Sequence, residues 1–386
     1  MENLMIITSY FPPEIGAASN RIFHLANGLK SNYDVHVVTP LPNYPTGKIF
    51  NAYKGKLKSR SVENDIIVSR IWLYASKSKN KFVRLFAMLS YSISLVWFFI
   101  WNKIPNKVIV QSPPLLVAFT CMFFLKSKRR KLILNVSDLW PSAGYELGAL
   151  RKNFSYKLLK KLEAFNYKNA NLILGQSNEI LTHVNNITKK PELFLYRNYP
   201  NINLTELIEN SSKSQKLKIV YAGLLGVAQG ILRLCQNLDY DTIELHIYGS
   251  GAEEEGLIKF MELNKTFPII FHGRVDRNVL HKELQKYDVA IIPLLNRIYG
   301  SVPSKIFEYA KLGLPMLYFG GGEGETIINN NQLGWVAEAG NHDHLNTIIN
   351  SIDKADTGLQ IKKEIQERAF RSFDFDLQLD NLKKIL

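Results

Sequence analysis

The chain has 386 residues, of which 46% are hydrophobic and 11% are aromatic. This length exceeds what one compact core usually supports, so two domains are expected. Cys121 and Cys235 are far apart and belong to no Cys-x-x-Cys or Cys/His cluster, which argues against a disulfide framework and a structural zinc site. The first residues lack the pattern of a secretory signal, so we expect a reducing, cytoplasmic setting.

The formal charge of +14 is distributed unevenly along the chain. Residues 1–200 contain 28 Lys and Arg against 10 Asp and Glu, which makes this half +18. Residues 201–386 contain 20 against 24 and are therefore −4. A basic half suits nucleic acid, an anionic membrane or phosphorylated substrates, and charge alone does not choose among them.

Short runs rich in Val and Ile alternate with longer helix-compatible stretches through the first half of the chain. These runs cover residues 4–8, 35–39, 107–111, 132–136 and 172–175. This alternation is typical of a buried parallel sheet with crossover helices. The pattern predicts a doubly wound α/β domain.

The same alternation restarts after a polar, turn-rich break at residues 198–214. The second set of runs covers residues 218–222, 244–248, 269–272, 289–293 and 315–319. We therefore predict an α/β fold of two doubly wound, Rossmann-like domains that meet near residue 205. Because ligands of parallel sheets bind beyond the carboxyl ends of the strands, two such domains facing each other would enclose a central cleft.

The domain boundaries that we predict are 1–203 and 204–370, followed by a C-terminal segment at 371–386. Residues 364–386 have helical spacing. A return of this C-terminal helix to the first domain is an open alternative.

Two apolar segments of the basic half are bordered by Lys and Arg. Residues 85–101 are uncharged, and residues 115–125 precede a cluster of five cations at 126–131. A bilayer span takes about 20 apolar residues, so the first segment is borderline and the second is too short. Helices lying in the surface of an anionic membrane are the favoured interpretation, and ordinary buried helices of the first domain are the alternative.

Two glycine-containing turns each follow a predicted strand. The first contains Gly16, and the second, at residues 221–230, contains Gly223, Gly226 and Gly230. Glycine allows the backbone to approach a phosphate closely, and a helix N-terminus favours its negative charge. Neither turn has the spacing of GxGxxG or of a P-loop, so each by itself also fits a tight strand-to-helix turn.

Residues 301–315 contain the strongest candidate for a diphosphate site. Pro303 and Ser304 are good helix starters, so the amides of Ser304 and Lys305 are expected to be free to bind a diphosphate that the Lys305 ammonium neutralises. Glu308 lies one turn further along the helix, where a carboxylate can accept hydrogen bonds from ribose hydroxyls. The alternative is an ordinary amphipathic helix with Lys305 and Glu308 as solvent-facing partners.

These motifs together resemble the retaining glycosyltransferases often called family 4, which adopt the GT-B fold of two Rossmann-like domains. The likeness covers nearly the whole chain. It rests on residues 9–14 with Gly16, Pro42-Asn43-Tyr44-Pro45, Asp138-Leu139-Trp140-Pro141, residues 221–230, residues 271–275, and Pro303-Ser304-Lys305 with Glu308. Within that family, Pro-Asn-Tyr-Pro and Asp-Leu-Trp-Pro resemble the branch that adds N-acetylated deoxyamino sugars such as N-acetylfucosamine during O-antigen or capsule assembly.

The resemblance implies a role for each matching residue. Gly16 and Gly223 would approach the donor, Ser304 and Lys305 would hold its diphosphate, and Glu308 would hold its ribose. Arg274 and Val275 would lie beside the base, for which the resemblance suggests uridine. Asp138 would lie near the reacting sugar or the acceptor hydroxyl, so Asp138, Lys305 and Glu308 are the candidate catalytic residues. Capping of the next turn is the alternative for Asp138, and a surface position is the alternative for Arg274, Glu14 and Glu146.

The chain departs from the family pattern at several positions. The family's first paired glutamate would stand where this chain has Gly300, a common lysine where it has Gln229, and a common histidine where it has Ser137. The diphosphate would then depend mainly on Lys305 and on backbone amides. The identity of any base is left open.

The function that the resemblance implies is transfer of a sugar from a UDP-sugar to a polyprenyl-diphosphate-linked saccharide. We expect no cofactor and no metal, because no Asp-x-Asp motif follows a strand. The first domain would face the acceptor and the anionic inner face of the cell membrane, and the second would bind the nucleotide sugar. A UDP-sugar 2-epimerase and a non-catalytic membrane-peripheral assembly protein are the alternatives, and nucleic-acid binding ranks last because no binding motif is present.

Overall fold

The computed structural model describes residues 1–78, 80–202, 206–207 and 216–386. The chain forms two compact units. The first consists of Met1–Asn198, Tyr299–Ser301 and Asp376–Leu386, and the second of Tyr199–Ile298 and Val302–Phe375. The predicted boundary between residues 203 and 204, and the junction near residue 205, lie outside the described residues.

The first unit contains an eight-stranded sheet in the order β3-β4-β2-β1-β5-β6-β7-β8. All neighbouring strands are parallel except the β3–β4 hairpin. The strands are β1 (Glu2–Ile7), β2 (Tyr33–Pro40), β3 (Lys58–Glu63), β4 (Ile66–Ile71), β5 (Lys107–Ser112), β6 (Lys131–Val136), β7 (Leu172–Gly175) and β8 (Glu192–Leu195). The helices are α1 (Ala17–Leu29), α2 (Lys81–Trp101), α3 (Leu115–Phe124), α4 (Ser142–Glu146), α5 (Phe154–Asn169) and α6 (Asn178–Ile187).

The second unit contains a six-stranded parallel sheet in the order β11-β10-β9-β12-β13-β14. Its strands are β9 (Leu217–Leu224), β10 (Ile243–Ser250), β11 (Ile269–Gly273), β12 (Val289–Pro293), β13 (Met316–Phe319) and β14 (Gly334–Val336). Its helices are α7 (Ile231–Asn237), α8 (Glu254–Leu263), α9 (Arg277–Leu284), α10 (Lys305–Lys311), α11 (Glu323–Asn330), α12 (His342–Ser351) and α13 (Leu359–Ser372). The last helix of the chain, α14, covers Phe375–Ile385.

The predicted fold class of two Rossmann-like α/β domains is confirmed, and each predicted strand is present. Four strands were not predicted, namely β3, β4, β8 and β14. The β3 sequence is largely polar because this strand lies at the sheet edge, and its hairpin turns through Asn64 and Asp65 in the left-handed region. A prediction based on runs of apolar residues does not detect such an edge strand.

Each sheet has a switch point where the strand order reverses. In the first unit it lies between β1 and β5, and in the second between β9 and β12. The connections that leave these two neighbouring strands run in opposite directions, so a crevice forms beyond their carboxyl ends. The loops that follow β1, β9 and β12 are therefore the expected ligand-binding loops.

The two apolar segments differ in their surroundings. Helix α3 lies in the core of the first unit, with Leu115, Val117 and Cys121 buried, so the membrane-surface interpretation does not hold for most of it. Helix α2 buries Tyr91, Leu95 and Phe98 while its opposite side is exposed. Within the described part of the chain, every helix is too short or too polar to span a bilayer.

The C-terminal residues form two helices instead of one continuous helix. Helix α13 belongs to the second unit, and residues from Asp376 onward belong to the first. Gly28 of α1 leaves room for Leu379, because a Cβ at position 28 would lie 2.4 Å from Leu379 Cδ2. The backbone N–H of Arg197 donates to Gln378 at 2.8 Å, which fixes α14 further.

Candidate active site

The loop after β9 is closely packed at the carboxyl end of the second sheet. A Cβ at Gly249 would lie 1.8 Å from the carbonyl oxygen of Gly223, so β9 and β10 approach each other here more closely than a side chain permits. Gly230 begins α7 with a φ of 64°. The carbonyl oxygen of Ala228 accepts the amide of Leu295 at 2.9 Å, which joins the loop after β9 to the loop after β12.

Helix α10 is fixed to the same edge of the second sheet. The Tyr309 hydroxyl donates to the carbonyl oxygen of Ala222 at 2.8 Å. This bond places α10 beside the end of β9, at the switch point. The side chain of Ser304, at the start of the helix, makes no capping hydrogen bond to any described residue. The ordinary helix cap that the alternative interpretation requires is therefore not observed.

Glu308 lies at the centre of a cluster of three basic side chains. Its Oε1 accepts from His281 Nε2 at 2.7 Å and from Arg277 at 3.3 Å, and its Oε2 accepts from Lys305 Nζ at 2.9 Å. Burial would raise the pKa of Glu308, but the hydrogen bond from His281 and the charges of Lys305 and Arg277 outweigh it and lower the pKa. The carboxylate is therefore ionised and buried, so the solvent-facing alternative for Glu308 is wrong.

Lys305 combines an ion pair with access to solvent. Its side chain is 31% exposed, and its Nζ lies 5.4 Å from the centre of the Tyr309 ring. The backbone amides of Ser304 and Lys305 make no hydrogen bond to any described residue. An ammonium group and two free amides are thus available to one anion.

Arg274 and Val275 occupy the turn between β11 and α9. Gly273, with a φ of 66°, ends β11 and turns the chain toward this segment. Val275 packs on the core of the second unit, whereas Arg274 is exposed and has no hydrogen-bonding or ionic partner among the described residues. Val275 and Arg274 lie just before Arg277 on α9, which contacts Glu308.

In the first unit, a buried acid joins two of the loops that the sequence singled out. Oε1 of Glu14 accepts the amides of Asn43 and Tyr44 at 2.7 and 2.8 Å. Burial raises the pKa of Glu14 although these hydrogen bonds oppose the shift. The surface position considered for Glu14 is therefore wrong, and the loop of Gly16 is fastened to the Pro-Asn-Tyr-Pro loop.

Asp138 follows β6 and lies in the electrostatic field of a buried arginine. Burial raises the pKa of Asp138, and the charge of Arg21 opposes the shift. The side chain of Asp138 makes no hydrogen bond to any described residue, so the capping alternative is not observed. Arg21 donates to Asn135 at 2.9 Å, to Gln176 at 3.0 Å and to Ser137 at 3.1 Å.

Gly300 stands where the family's first glutamate was expected. Its φ is 85°, and a Cβ there would lie 3.0 Å from both Leu139 and Ile180. Its amide donates to Glu179 at 2.8 Å, and the amide of Tyr299 donates to the exposed Glu146 at 2.8 Å. The backbone conformation and the limited space both favour glycine at this position.

The structure thus brings Gly223, Ser304, Lys305 and Glu308 to one edge of the second sheet, while Gly16 and Asp138 belong to the first unit. Sequence reasoning missed Arg277 and His281, the two α9 residues that contact Glu308. Their spacing of four places both on one side of a helix, which is the signal that was available. No group of three His, Cys, Asp or Glu side chains suited to a metal ion occurs in the part of the chain that the structure describes.

Comparison with known proteins gives one family match and a set of structural matches. Residues 217–352 match the family model described as Glycosyl transferases group 1. No curated protein matches the chain in sequence.

Solved structures match over essentially the full length of the chain. Sucrose-phosphate synthase from Thermosynechococcus elongatus has a TM-score of 0.76 at 12% identity, with 100% of this chain and 98% of that chain covered. HepE from Anabaena, in complex with UDP, has a TM-score of 0.67 at 15% identity, with coverage of 100% and 99%. The lipopolysaccharide outer core galactosyltransferase WaaB has a TM-score of 0.66 at 14% identity, with coverage of 100% and 98%. The chain therefore has the GT-B fold of two Rossmann-like domains, and its residues 217–352 are similar to the domain described as Glycosyl transferases group 1.

Proposed function

We propose that this protein is a retaining glycosyltransferase that uses a UDP-sugar as donor and a polyprenyl-diphosphate-linked saccharide as acceptor. The observation that carries the proposal is the pairing of Lys305 with the buried Glu308 beside the loop after β9. A solvent-accessible cation next to free amides suits a diphosphate, and a fixed carboxylate suits vicinal hydroxyls. The UDP bound to HepE, a protein of the same fold, supports the choice of nucleotide.

In this mechanism the donor diphosphate lies against the first turn of α10. The ammonium of Lys305 and the amides of Ser304 and Lys305 stabilise the negative charge that grows on the leaving diphosphate. Glu308 accepts hydrogen bonds from the ribose hydroxyls, and His281 and Arg277 hold its carboxylate in position. Gly223 and Gly16 allow the backbone to approach the donor, and Val275 with Arg274 contacts the uracil base.

The transfer step exchanges one bond at the anomeric carbon. The bond from this carbon to the diphosphate oxygen breaks, and a bond to the acceptor oxygen forms on the same face of the sugar. The hydroxyl proton passes to an oxygen of the departing diphosphate, so no strong protein base is required. We propose Asp138 as the acidic residue on the acceptor side, and charge neutralisation by Lys305 without a metal ion or another cofactor.

We further propose that the donor sugar is an N-acetylated deoxyamino hexose such as N-acetylfucosamine. The support is the resemblance carried by Pro42-Asn43-Tyr44-Pro45 and Asp138-Leu139-Trp140-Pro141. In the structure the first of these motifs is held by Glu14 and the second follows β6. The pathway that we propose is O-antigen or capsule assembly.

The proposed location is the cytoplasmic face of the cell membrane, as a peripheral protein. The exposed side of α2 supports it, because Phe82, Ile93, Trp97 and Trp101 are all exposed large apolar residues. Residues 66–137 contain 12 Lys and Arg and no Asp or Glu. Exposed aromatic residues in a segment of the sequence rich in cations suit an anionic lipid interface.

The test is to incubate the purified protein with a panel of UDP-sugars and polyprenyl-diphosphate-linked N-acetylhexosamine, with and without EDTA. A lipid product one sugar heavier, formed equally in EDTA, is the expected result. Isomerised donor without acceptor would instead identify an epimerase. The absence of turnover with every donor would favour a non-catalytic assembly protein.

A further inference from the structure

An apolar groove lies on the first unit between α2 and the β3–β4 hairpin. Its volume is about 720 Å³. The apolar lining includes Leu57, Ile71, Trp72, Ile93, Trp97 and Trp101. Its polar lining is confined to Lys58, Ser94 and Asn102. The groove is therefore suited to a hydrocarbon ligand instead of a polar one.

The groove is open to solvent on its aromatic side. The exposed fraction is 65% for Trp97 and 69% for Trp101, and their ring centres lie 5.7 Å apart. Large apolar side chains that remain in water at this level mark a binding surface. Tryptophan in particular suits the boundary between lipid and water.

The groove begins at the edge of the sheet that carries the other candidate residues. Lys58 pairs with Ile71, the last residue of β4, and β4 is parallel to β2, which is parallel to β1. Arg70, next to Ile71, donates to the carbonyl oxygen of Pro12 at 2.6 Å, in the loop that leads to Gly16. The Ile71 end of the groove thus lies at the carboxyl edge of the first sheet, where an acceptor is expected.

The charge around the groove decides among its possible occupants. Among the described residues that line the groove, Lys58 is charged and none is Asp or Glu, so two copies meeting at this surface would bring like charges together. That repulsion disfavours self-association through the groove. A lipid with a negatively charged head group is attracted by Lys58 and supplies an apolar chain for the interior.

We infer that this groove binds the polyprenyl chain of the lipid-linked acceptor. The inference rests on the proposed function, because it assigns the chain to the acceptor and not to a bulk membrane lipid. The exposed aromatic and aliphatic side chains hold the chain, and Lys58, opposite Ile71, accompanies the diphosphate. Bound in this way, the acceptor stays at the carboxyl edge of the sheet while its saccharide reacts.

The first experiment locates the chain without requiring turnover. A polyprenyl phosphate that carries a photoreactive diazirine on its chain and no sugar is crosslinked to the full-length protein in detergent micelles. Mass spectrometry then identifies the modified peptides. We expect modification of residues 57–72 and 93–102, competed by unlabelled polyprenyl phosphate and not by phosphatidylglycerol. Equal competition by phosphatidylglycerol would overturn the assignment to the acceptor.

Two isoleucines on α2 provide a matched pair of variants. Ile93 lines the groove and is 66% exposed, whereas Ile100 does not line it and is 67% exposed. Ile93→Ala should raise the Kd for polyprenyl phosphate by about tenfold, since it removes apolar contact worth about 1.4 kcal/mol. Ile100→Ala removes the same atoms from an equally exposed position and should leave the Kd unchanged.

The outcomes separate this inference from the proposed function. Equal losses for both variants, or crosslinks spread along the whole exposed side of α2, would show general insertion into lipid and overturn the groove. A dimer that dissociates in Ile93→Ala would show that a second copy fills it. Binding of polyprenyl phosphate in the groove without sugar transfer would support the groove and overturn the transferase.

Discussion

Nζ of Lys305 lies 2.9 Å from Oε2 of Glu308, and the carboxylate is buried while the ammonium remains accessible. This arrangement separates two roles within one turn of α10. Glu308 is fixed by contacts on both of its oxygens and is suited to orient a ligand. Lys305 can exchange its protein contact for a diphosphate, because His281 and Arg277 continue to satisfy Glu308.

The first prediction concerns Lys305. Lys305→Ala should lower kcat/KM for the donor by about 100-fold, because a cation that stabilises the leaving diphosphate is lost. Steady-state kinetics with the UDP-sugar checks this value. Lys282→Ala is the control, because Lys282 is exposed on α9 and has no contact with Glu308. Activity within twofold of the unsubstituted protein would contradict the role of Lys305.

The second prediction concerns the pH dependence of stability through Glu308. Its folded pKa is lowered, so its contribution to the free energy of unfolding is full above the unfolded value near 4.5 and is lost as the pH falls through the folded pKa. Glu308→Gln should lower that free energy by about 2 kcal/mol at neutral pH, because three basic partners lose their anion. Denaturant unfolding at several pH values should show this difference shrinking below about pH 4.5.

Glu283→Gln is the matched control for that experiment. Glu283 pairs with Lys286 at 2.6 Å, but the Lys286 side chain is 57% exposed. Surface pairs of this kind contribute little, so its loss should change the free energy of unfolding by less than about 0.5 kcal/mol. A difference between Glu308→Gln and the unsubstituted protein that does not depend on pH would rule out the electrostatic account.

The third prediction is a trade-off between activity and stability at Asp138. Its folded pKa is raised by burial, so the ionised carboxylate destabilises the fold at neutral pH, and this cost disappears as the pH falls below the usual value near 3.8. Asp138→Asn should therefore lose transferase activity while its midpoint of thermal unfolding rises at pH 7. Calorimetry at neutral and acidic pH checks the sign. A lower midpoint at pH 7 would show that Asp138 serves the fold instead.

The fourth prediction concerns the buried acid that joins two loops. Glu14→Ala leaves the amides of Asn43 and Tyr44 without their acceptor, which should lower the free energy of unfolding by about 2–3 kcal/mol. Glu14→Gln keeps an acceptor oxygen and should retain most of that stability. Urea unfolding of both variants checks the comparison, and equal losses in the two would contradict the hydrogen-bonding role.

The fifth prediction concerns attachment to anionic membranes. The side chains of Lys128 and Arg129 are exposed and have no hydrogen-bonding or ionic partner among the described residues. Replacing both with Gln should weaken binding to phosphatidylglycerol vesicles, because each nearby cation contributes about 1 kcal/mol. A flotation assay at low and moderate salt measures this.

Arg130 must be left intact in that variant. Its guanidinium donates to the carbonyl oxygens of Leu125, at 2.7 Å, and Pro105, at 3.0 Å, so its replacement would also disturb the fold. The paired substitution of Lys157 and Lys161, two exposed cations of α5, is the charge-matched control. An identical loss of vesicle binding for both substituted pairs would show that net charge alone causes the effect.

Much of the architecture was determined by the sequence itself. Val-rich and Ile-rich runs predicted the interior strands of both sheets, since strands covered on both faces must be apolar along their length. The same reasoning failed for β3, an edge strand that faces solvent. The sequence also could not distinguish the half-exposed α2 from the buried α3. The composition of an apolar helix does not show which of its sides are covered by neighbouring elements.

The contacts within the candidate site were decided only by the tertiary structure. Glu308 was predicted as a site residue, yet its burial and its contacts with Arg277 and His281 depend on how α9 packs beside α10. The field of Arg21 at Asp138 likewise joins positions more than a hundred residues apart. The sequence alone determined which residues follow the strands. Folding decided which of them became desolvated and paired, because burial and electrostatic coupling depend on distances between elements that local patterns do not encode.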